Sequence, residues 1–464
     1  MKIYRLLLTT AVTISCVYCS WATASSTTSS SAISAAQVQP PSAEKKPVEL
    51  TLHGDKRIDN YDWLHDSAWP SEVKDKAVLD HIQAENTYTE SVLAPVKELE
   101  DTLYQEMKSR IVEEDSSYPT QEGDYFYYTR FEKGKDFTIH CRKKVGDDKE
   151  EVILDENELA QGQKNFSLGS LRVNPDHTLV AYSYDTSGIE IFTLQVKDLK
   201  TGKLLVDKVE NTFSNPLEEY PPQIVWHNKL KGFFYVSQNK TQRSDRVFFH
   251  VLGEPQNTDQ LIYEEKDEKC WAGVRLSADK QFVLIESADF ETNHTMFLDL
   301  RSEPLAQIAV LPKVPGVYHT VDSKEGYFYF SINDKDKAYR LVSMPVDKTA
   351  PDRWEEILAP SVTSSLTNFA LYKGHLVVRQ KEGGIPRIRV MSFDQLNKVE
   401  EVSFKEAAYE ARIKFTRDDD PYLRIEYSSL VTPDTVYEYE FETKQLHTRK
   451  VRDVGKDFDS NNYQ

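Results

Sequence analysis

The chain has 464 residues, 39% hydrophobic and 28% charged, with a formal net charge of −18. That length and apolar share can bury a large core, which excludes a disordered chain, and the negative balance repels phosphate, which argues against nucleic acid as a main partner while permitting cationic ligands. With 25 Tyr and 21 Phe against 17 Gly, the composition favours strands and excludes a collagen-like chain.

Residues 1–24 read as a secretory signal. Lys2 and Arg5 give the positive start, Leu6 to Tyr18 the apolar run, and Ala22-Thr23-Ala24 the small-residue cleavage site. The apolar run is too short for a stable membrane span. Cleavage after Ala24 is expected, with a periplasmic or secreted mature protein; a lipoprotein acylated at Cys16 or Cys19 fits less well, because neither cysteine follows a good Leu-x-small box. Residues 25–41, rich in Ser, Ala and Thr, read as a flexible leader.

Residues 42–112 have a helical texture. A helical run is expected from about Ser71 to Leu93, broken at Pro95, which has no N–H to donate. A second run then places Val96, Leu99, Leu103, Met107 and Ile111 on one face at helical spacing. A short helical extension is marginal alone, so this stripe requires a surface to dock on.

From Asp124 to about Asp453 one unit of roughly 45 residues recurs seven times, the pattern of a β-propeller. Ser170–Asp176 leading to Leu179–Tyr182 matches Gly273–Asp279 leading to Phe282–Ile285, strand against strand, with Asn-Pro-Asp and Ser-Ala-Asp as turn formers between. Third and fourth strands follow, as at Glu190–Val196 and Leu204–Val206 across the Thr201-Gly202 turn. The expected fold is therefore all-β, a seven-bladed β-propeller over residues 113–453 preceded by the helical segment, with 454–464 as a linker. Cys141 and Cys270 fall in the first and fourth repeats, too far apart for a disulfide, and read as buried free thiols.

Chemistry-bearing motifs are scarce. There is no Gly-x-Ser-x-Gly turn of the kind an α/β-type serine hydrolase uses, and the eleven histidines are scattered, with His140, His250 and His319 inside strands. No His-Glu-x-x-His, paired Cys-x-x-Cys or EF-hand loop occurs. No residue is nominated as catalytic, cofactor-binding or metal-binding, and no cofactor is expected.

Several runs nevertheless carry a resemblance. Leu52-His53-Gly54-Asp55-Lys56-Arg57-Ile58-Asp59-Asn60-Tyr61-Asp62-Trp63-Leu64, His81–Asn86, Glu106–Ile111, Asp124–Tyr128, Asp136–Arg142, Tyr427–Pro433 and Phe458–Tyr463 together are similar to the oligopeptidase B (protease II) group of the prolyl oligopeptidase family of serine peptidases. The resemblance covers about Pro40 to Gln464. It implies a propeller set between an N-terminal helical segment and an α/β-hydrolase domain that carries the serine, aspartate and histidine and follows the Asn-Tyr motif. It also implies cleavage of short peptides after Lys or Arg, with the propeller as a lid that admits oligopeptides and keeps folded proteins out. The expected partners are thus short basic peptides and, in one reading, a separate hydrolase half docking in trans. On this basis the chain is expected to be inactive alone, as a truncated peptidase. A split enzyme and a non-enzymatic peptide-binding propeller are the alternatives. The resemblance further implies a ring closed by packing alone, weakest between residues 124–156 and 409–453.

Overall fold

A computed structural model describes residues 39–66, 73–214, 223–302, 306–311, 313–335, 338–347, 353–455 and 458–463. The expected signal and most of the leader lie outside these. The chain divides into two compact units, residues 1–106 and 107–464.

In the first unit, β1 (Val48–Leu52) and β2 (Asp55–Asp59) form a two-stranded hairpin. Its two-residue turn is His53-Gly54, both at positive φ, as the right-handed strand twist demands. Helix α1 spans Lys76–Leu93, shorter at its start than expected, because Asp75 caps it by accepting from the Ala77 and Val78 amides. At Pro95 the α-helix is broken, as expected. Ala94–Val96 forms one 3-10 turn with proline at its start, where a missing N–H costs nothing, and α2 continues from Lys97 to Ser109. The stripe Val96, Leu99, Leu103, Met107 and Ile111 is exposed along its whole length, and α2 buries no residue.

The second unit is a β-propeller built almost wholly of antiparallel sheets. β3–β6 (Thr120–Glu122, Tyr125–Arg130, Ile139–Lys144, Glu150–Asp155) form the first sheet, one turn earlier than Asp124, and are followed by the short helix α3 (Glu156–Ala160). β7–β10 (Ser167–Val173, Leu179–Asp185, Phe192–Asp198, Leu204–Thr212) and β11–β14 (Ile224–His227, Gly232–Gln238, Ser244–Val251, Gln260–Glu264) come next. Four further four-stranded sheets follow: β15–β18 (Trp271–Leu276, Phe282–Ala288, Asn293–Asp299, Ala306–Leu311), β19–β22 (His319–Lys324, Tyr327–Lys335, Ala338–Pro345, Glu355–Leu358), β23–β26 (Ser364–Tyr372, His375–Glu382, Ile385–Ser392, Gln395–Glu401) and β27–β30 (Glu410–Lys414, Tyr422–Ser428, Thr435–Glu440, Leu446–Val451).

The expectation of seven separate blades is corrected by the hydrogen bonding. Five separate four-stranded sheets are present among the described residues, and β7–β14 join into one eight-stranded sheet. The join is a single residue pair, Thr212 with Ser237, reached because β10 runs on past two register shifts to meet β12.

Turn chemistry explains why the strands start where they do. The Asn174 side chain accepts from the Thr178 and Leu179 amides, and the Ser277 hydroxyl accepts from the Phe282 amide, so two different residues close the same first-to-second-strand turn.

Apolar packing occurs between successive sheets. Phe233, Tyr235 and Trp226 pack on Leu194 and Val196, and Phe234 and Phe249 pack on Ile285 and Met296. Phe282 and Phe297 pack on Phe328 and Phe330, Tyr329 and Leu341 on Leu376 and Met391, and Tyr372 and Val377 on Leu423 and Ile425. A buried Phe or Tyr side chain in such an interface is worth roughly 1.5–3 kcal/mol over an exposed one. The first sheet contributes no residue to any of these five clusters; its buried apolar side chains are Ile139, Cys141, Ile153 and Leu154.

Candidate functional site

The first sheet is held by polar contacts on both sides. Toward β7–β10, the Tyr127 hydroxyl and His177 Nδ1 share a 2.8 Å hydrogen bond, Arg142 donates to the His177 carbonyl at 2.6 Å, and Lys197 donates to the Ile153 carbonyl at 2.8 Å. Toward β27–β30, Arg424 donates to the Thr120 hydroxyl at 2.7 Å with its guanidinium 4.8 Å from the Tyr118 ring centre. Lys450 meets the Asp115 carboxylate at 2.7 Å and the Ser116 carbonyl. Arg424 is itself buried and paired with Glu438 at 3.0 Å, and Arg449 holds the other oxygen of that carboxylate at 2.6 Å.

Between these contacts a cavity of about 790 Å³ opens at the seam of the first and last sheets. Tyr128, His140 and Cys141 line one wall; Arg412, Glu426 and Tyr427 line the other. This is the size of a small-molecule or peptide site. Its ionisable groups are spoken for. Tyr128 and Arg130 both donate to Glu150, and their bonds hold that carboxyl below its ordinary range although burial alone would raise it. His140 pairs with Glu156 at 2.8 Å, Lys414 with Glu426 at 3.4 Å, and Arg452 with Asp434 at 3.1 Å. Burial pushes the Cys141 thiol up to about 11, so it is no nucleophile near neutral pH. The seam offers an opening rather than a set of reacting groups.

The second functional feature is a face. Each four-stranded meander ends at the side where it began, so second-to-third-strand turns and sheet-to-sheet connections share one end of the propeller. Phe290 lies in the β16–β17 turn, Leu430 in the β28–β29 turn and Val362 in the connection before β23; they are 92%, 98% and 89% exposed. Phe131, Ile191 and Val314 are exposed at the same end, and Trp271 stacks edge-on with Phe290 at 5.6 Å. Large apolar side chains on the loops of several sheets are thus left in water at one end of the propeller.

The strand histidines have structural settings. His319 is buried against the Thr295 hydroxyl, and burial holds its pKa down at about 3, so it is neutral. His250 is fully buried, with Nδ1 2.7 Å from Asp259 and Nε2 3.1 Å from Asp207. Burial opposes its charge, but the two carboxylates outweigh it and raise its pKa above the ordinary value. Sequence reading found neither carboxylate: Asp207 lies 43 residues from His250, and Asp259, nine residues away, sits past a turn and shares no motif with it. Among the described residues no group of His, Cys, Asp or Glu is arranged to hold a metal.

Comparison with known proteins places this geometry. The profile described as prolyl oligopeptidase, N-terminal beta-propeller domain, matches residues 40–452. Dipeptidyl aminopeptidase BI of Pseudoxanthomonas mexicana is 32% identical, over 90% of this chain and 59% of that protein. Protease 2 of Moraxella lacunata is 26% identical, over 91% and 60%. The structure of oligopeptidase B from Leishmania major superposes with a TM-score of 0.84 at 30% identity, covering 92% of this chain and 62% of that one. The chain thus spans about 60% of the length of these relatives.

Proposed function

This chain belongs to the prolyl oligopeptidase family, and from that membership we propose that it is the substrate-admitting propeller portion of a serine oligopeptidase, seven-bladed, with β7–β10 and β11–β14 counting as two blades. The blade count is supported by the apolar cluster that packs those two strand sets face against face, as at the other sheet interfaces. The observation that carries the reading is the apolar end of the propeller, where Phe290, Val362 and Leu430 await a covering domain. That domain would supply the nucleophile, since a peptide bound here meets no activated serine, cysteine or lysine in the seam. The substrates are short peptides cut after Lys or Arg, which the net charge of −18 favours electrostatically. The seam cavity and its polar latches are where the ring opens to let them pass. The mature chain acts outside the cytoplasm after cleavage at Ala24.

In the test, purified chain is incubated with Arg- and Lys-linked chromogenic peptides and, separately, with an isolated oligopeptidase B catalytic domain. No hydrolysis by the chain alone is expected, together with binding to the catalytic domain that is lost in the Phe290→Asp, Leu430→Asp double variant. Turnover by the chain alone, or binding indifferent to those two changes, contradicts the reading.

A further inference from the structure

The connection between β14 and β15 and the residues just past β18 bring two nucleophilic side chains into contact. Lys313 Nζ lies 3.0 Å from Cys270 Sγ and 2.8 Å from the Asp267 carboxylate. Cys270 is fully buried, whereas Lys313 is about one-third exposed, so the pair sits at the boundary of solvent. The loop is fixed. The Cys270 amide donates to the Asp267 carbonyl at 3.0 Å, Arg243 donates to the carbonyls of Asp267, Cys270 and Glu265, and the Asp267 amide is bound by Glu265. These bonds fix the loop that carries Cys270, and the Asp267 carboxylate in that loop holds Lys313 Nζ against the sulfur, at less than a van der Waals separation. The other thiol, Cys141, has its own strand's Ile139 carbonyl at 3.9 Å and interacts with Glu150 and Arg130.

We propose that Cys270 and Lys313 form an oxidative nitrogen–oxygen–sulfur cross-link, a covalent modification site that ties the start of the β15–β18 sheet to its end. Dioxygen is the oxidant. Lys313 reacts as the free amine, its ammonium proton having gone to water, while Asp267 holds the side chain in place at 2.8 Å. The thiol S–H bond and one N–H bond are then broken, one S–O and one O–N bond form, and the second oxygen atom leaves as water with the two hydrogens. Sulfur and nitrogen each lose two electrons, and the four electrons reduce both oxygen atoms. A thiol reductant returns the pair to thiol and amine. The bridge spans the apolar end of the propeller beside Trp271 and Phe290, so oxidation would stiffen the surface on which a partner domain sits.

The test is peptide mapping of the purified chain after exposure to air-saturated buffer, with alkylation under denaturing conditions and mass spectrometry. The expected species joins the Cys270 and Lys313 peptides, heavier than their sum by one oxygen and lighter by two hydrogens. It should vanish after dithiothreitol and be absent in Lys313→Arg and Cys270→Ser, while Cys141 is fully alkylated throughout. Alkylation of Cys270 as complete as that of Cys141 would overturn the proposal, as would oxidation of Cys270 to sulfinic acid equally in the native chain and in Lys313→Arg. A linkage lacking the added oxygen would identify a direct sulfur–nitrogen bond and contradict the oxygen bridge.

Discussion

The interfaces from β7 to β30 and those of the first sheet solve one packing problem with different materials. Phe282, Phe297, Phe328 and Phe330 fill one sheet interface with rings whose neighbouring centres are 4.3–6.3 Å apart. Across the first and last sheets, Thr120, Tyr118 and Asp115 meet Arg424 and Lys450 around a cavity of about 790 Å³. Apolar burial is cooperative and hard to reopen. Partly exposed ion pairs and single hydrogen bonds are each worth about 1 kcal/mol or less, so they can part and re-form. A ring closed with this contrast has one built-in place to open.

The contrast breaks most visibly if the apolar side is cut. Phe297→Ala removes a ring buried among Phe282, Leu284 and Phe328 and should destabilise the propeller by about 3–5 kcal/mol, read as a lowered denaturant midpoint. Arg424→Met comes next. It leaves Thr120 without its donor and Glu438 with Arg449 alone, and an expected loss of about 3 kcal/mol follows from uncovering part of a buried charge. Its unfolding should start at the seam.

The His250 cluster sharpens the comparison from the rigid side, inside β7–β14. A histidine whose folded pKa is raised contributes stability that is complete below its unfolded value near 6.5 and is lost as pH rises through the folded pKa. The thermal midpoint should therefore fall between neutral and mildly alkaline pH, and His250→Gln should flatten that slope. Asp207, held low by His250 and the Gly253 amide against the effect of burial, should give a separate loss as pH falls below 3.8. Smallest of all, Lys450→Met should cost no more than about 1 kcal/mol, because both partners are partly in water, yet it should raise proteolysis within residues 113–155 while leaving β15–β22 untouched.

The strands were readable because aromatic and β-branched residues alternate through them, and Tyr327–Phe330 or Phe233–Tyr235 leave little choice of conformation. The free state of the two cysteines was readable from their places in distant repeats: Cys141 lies in β5, Cys270 in the connection before β15, and no disulfide joins them. What escaped was set by tertiary geometry. The Thr212 pair with Ser237 depends on how far β10 runs past its bulges, and no local pattern announces that. The His53-Gly54 hairpin was missed although glycine at its second position was a visible signal. The seam latches join residues more than 300 positions apart, Thr120 with Arg424, and the Cys270–Lys313 contact joins two connections that carry no motif. Sequence fixes which residues face inward far better than it fixes which connections meet.

Native-state amide hydrogen exchange is the most direct measurement of the claim that the seam is where the ring opens. β4 and β5 in the first sheet and β28 in the last are compared, under conditions where the chain stays folded, with β16 and β20. The expected result is exchange of β4 and β5 through an opening well below the global unfolding energy, faster still in Lys450→Met, while β16 and β20 exchange only with global unfolding. Equal protection of β4, β5, β16 and β20, unchanged by Lys450→Met, would show the ring to be uniformly closed and would contradict the account.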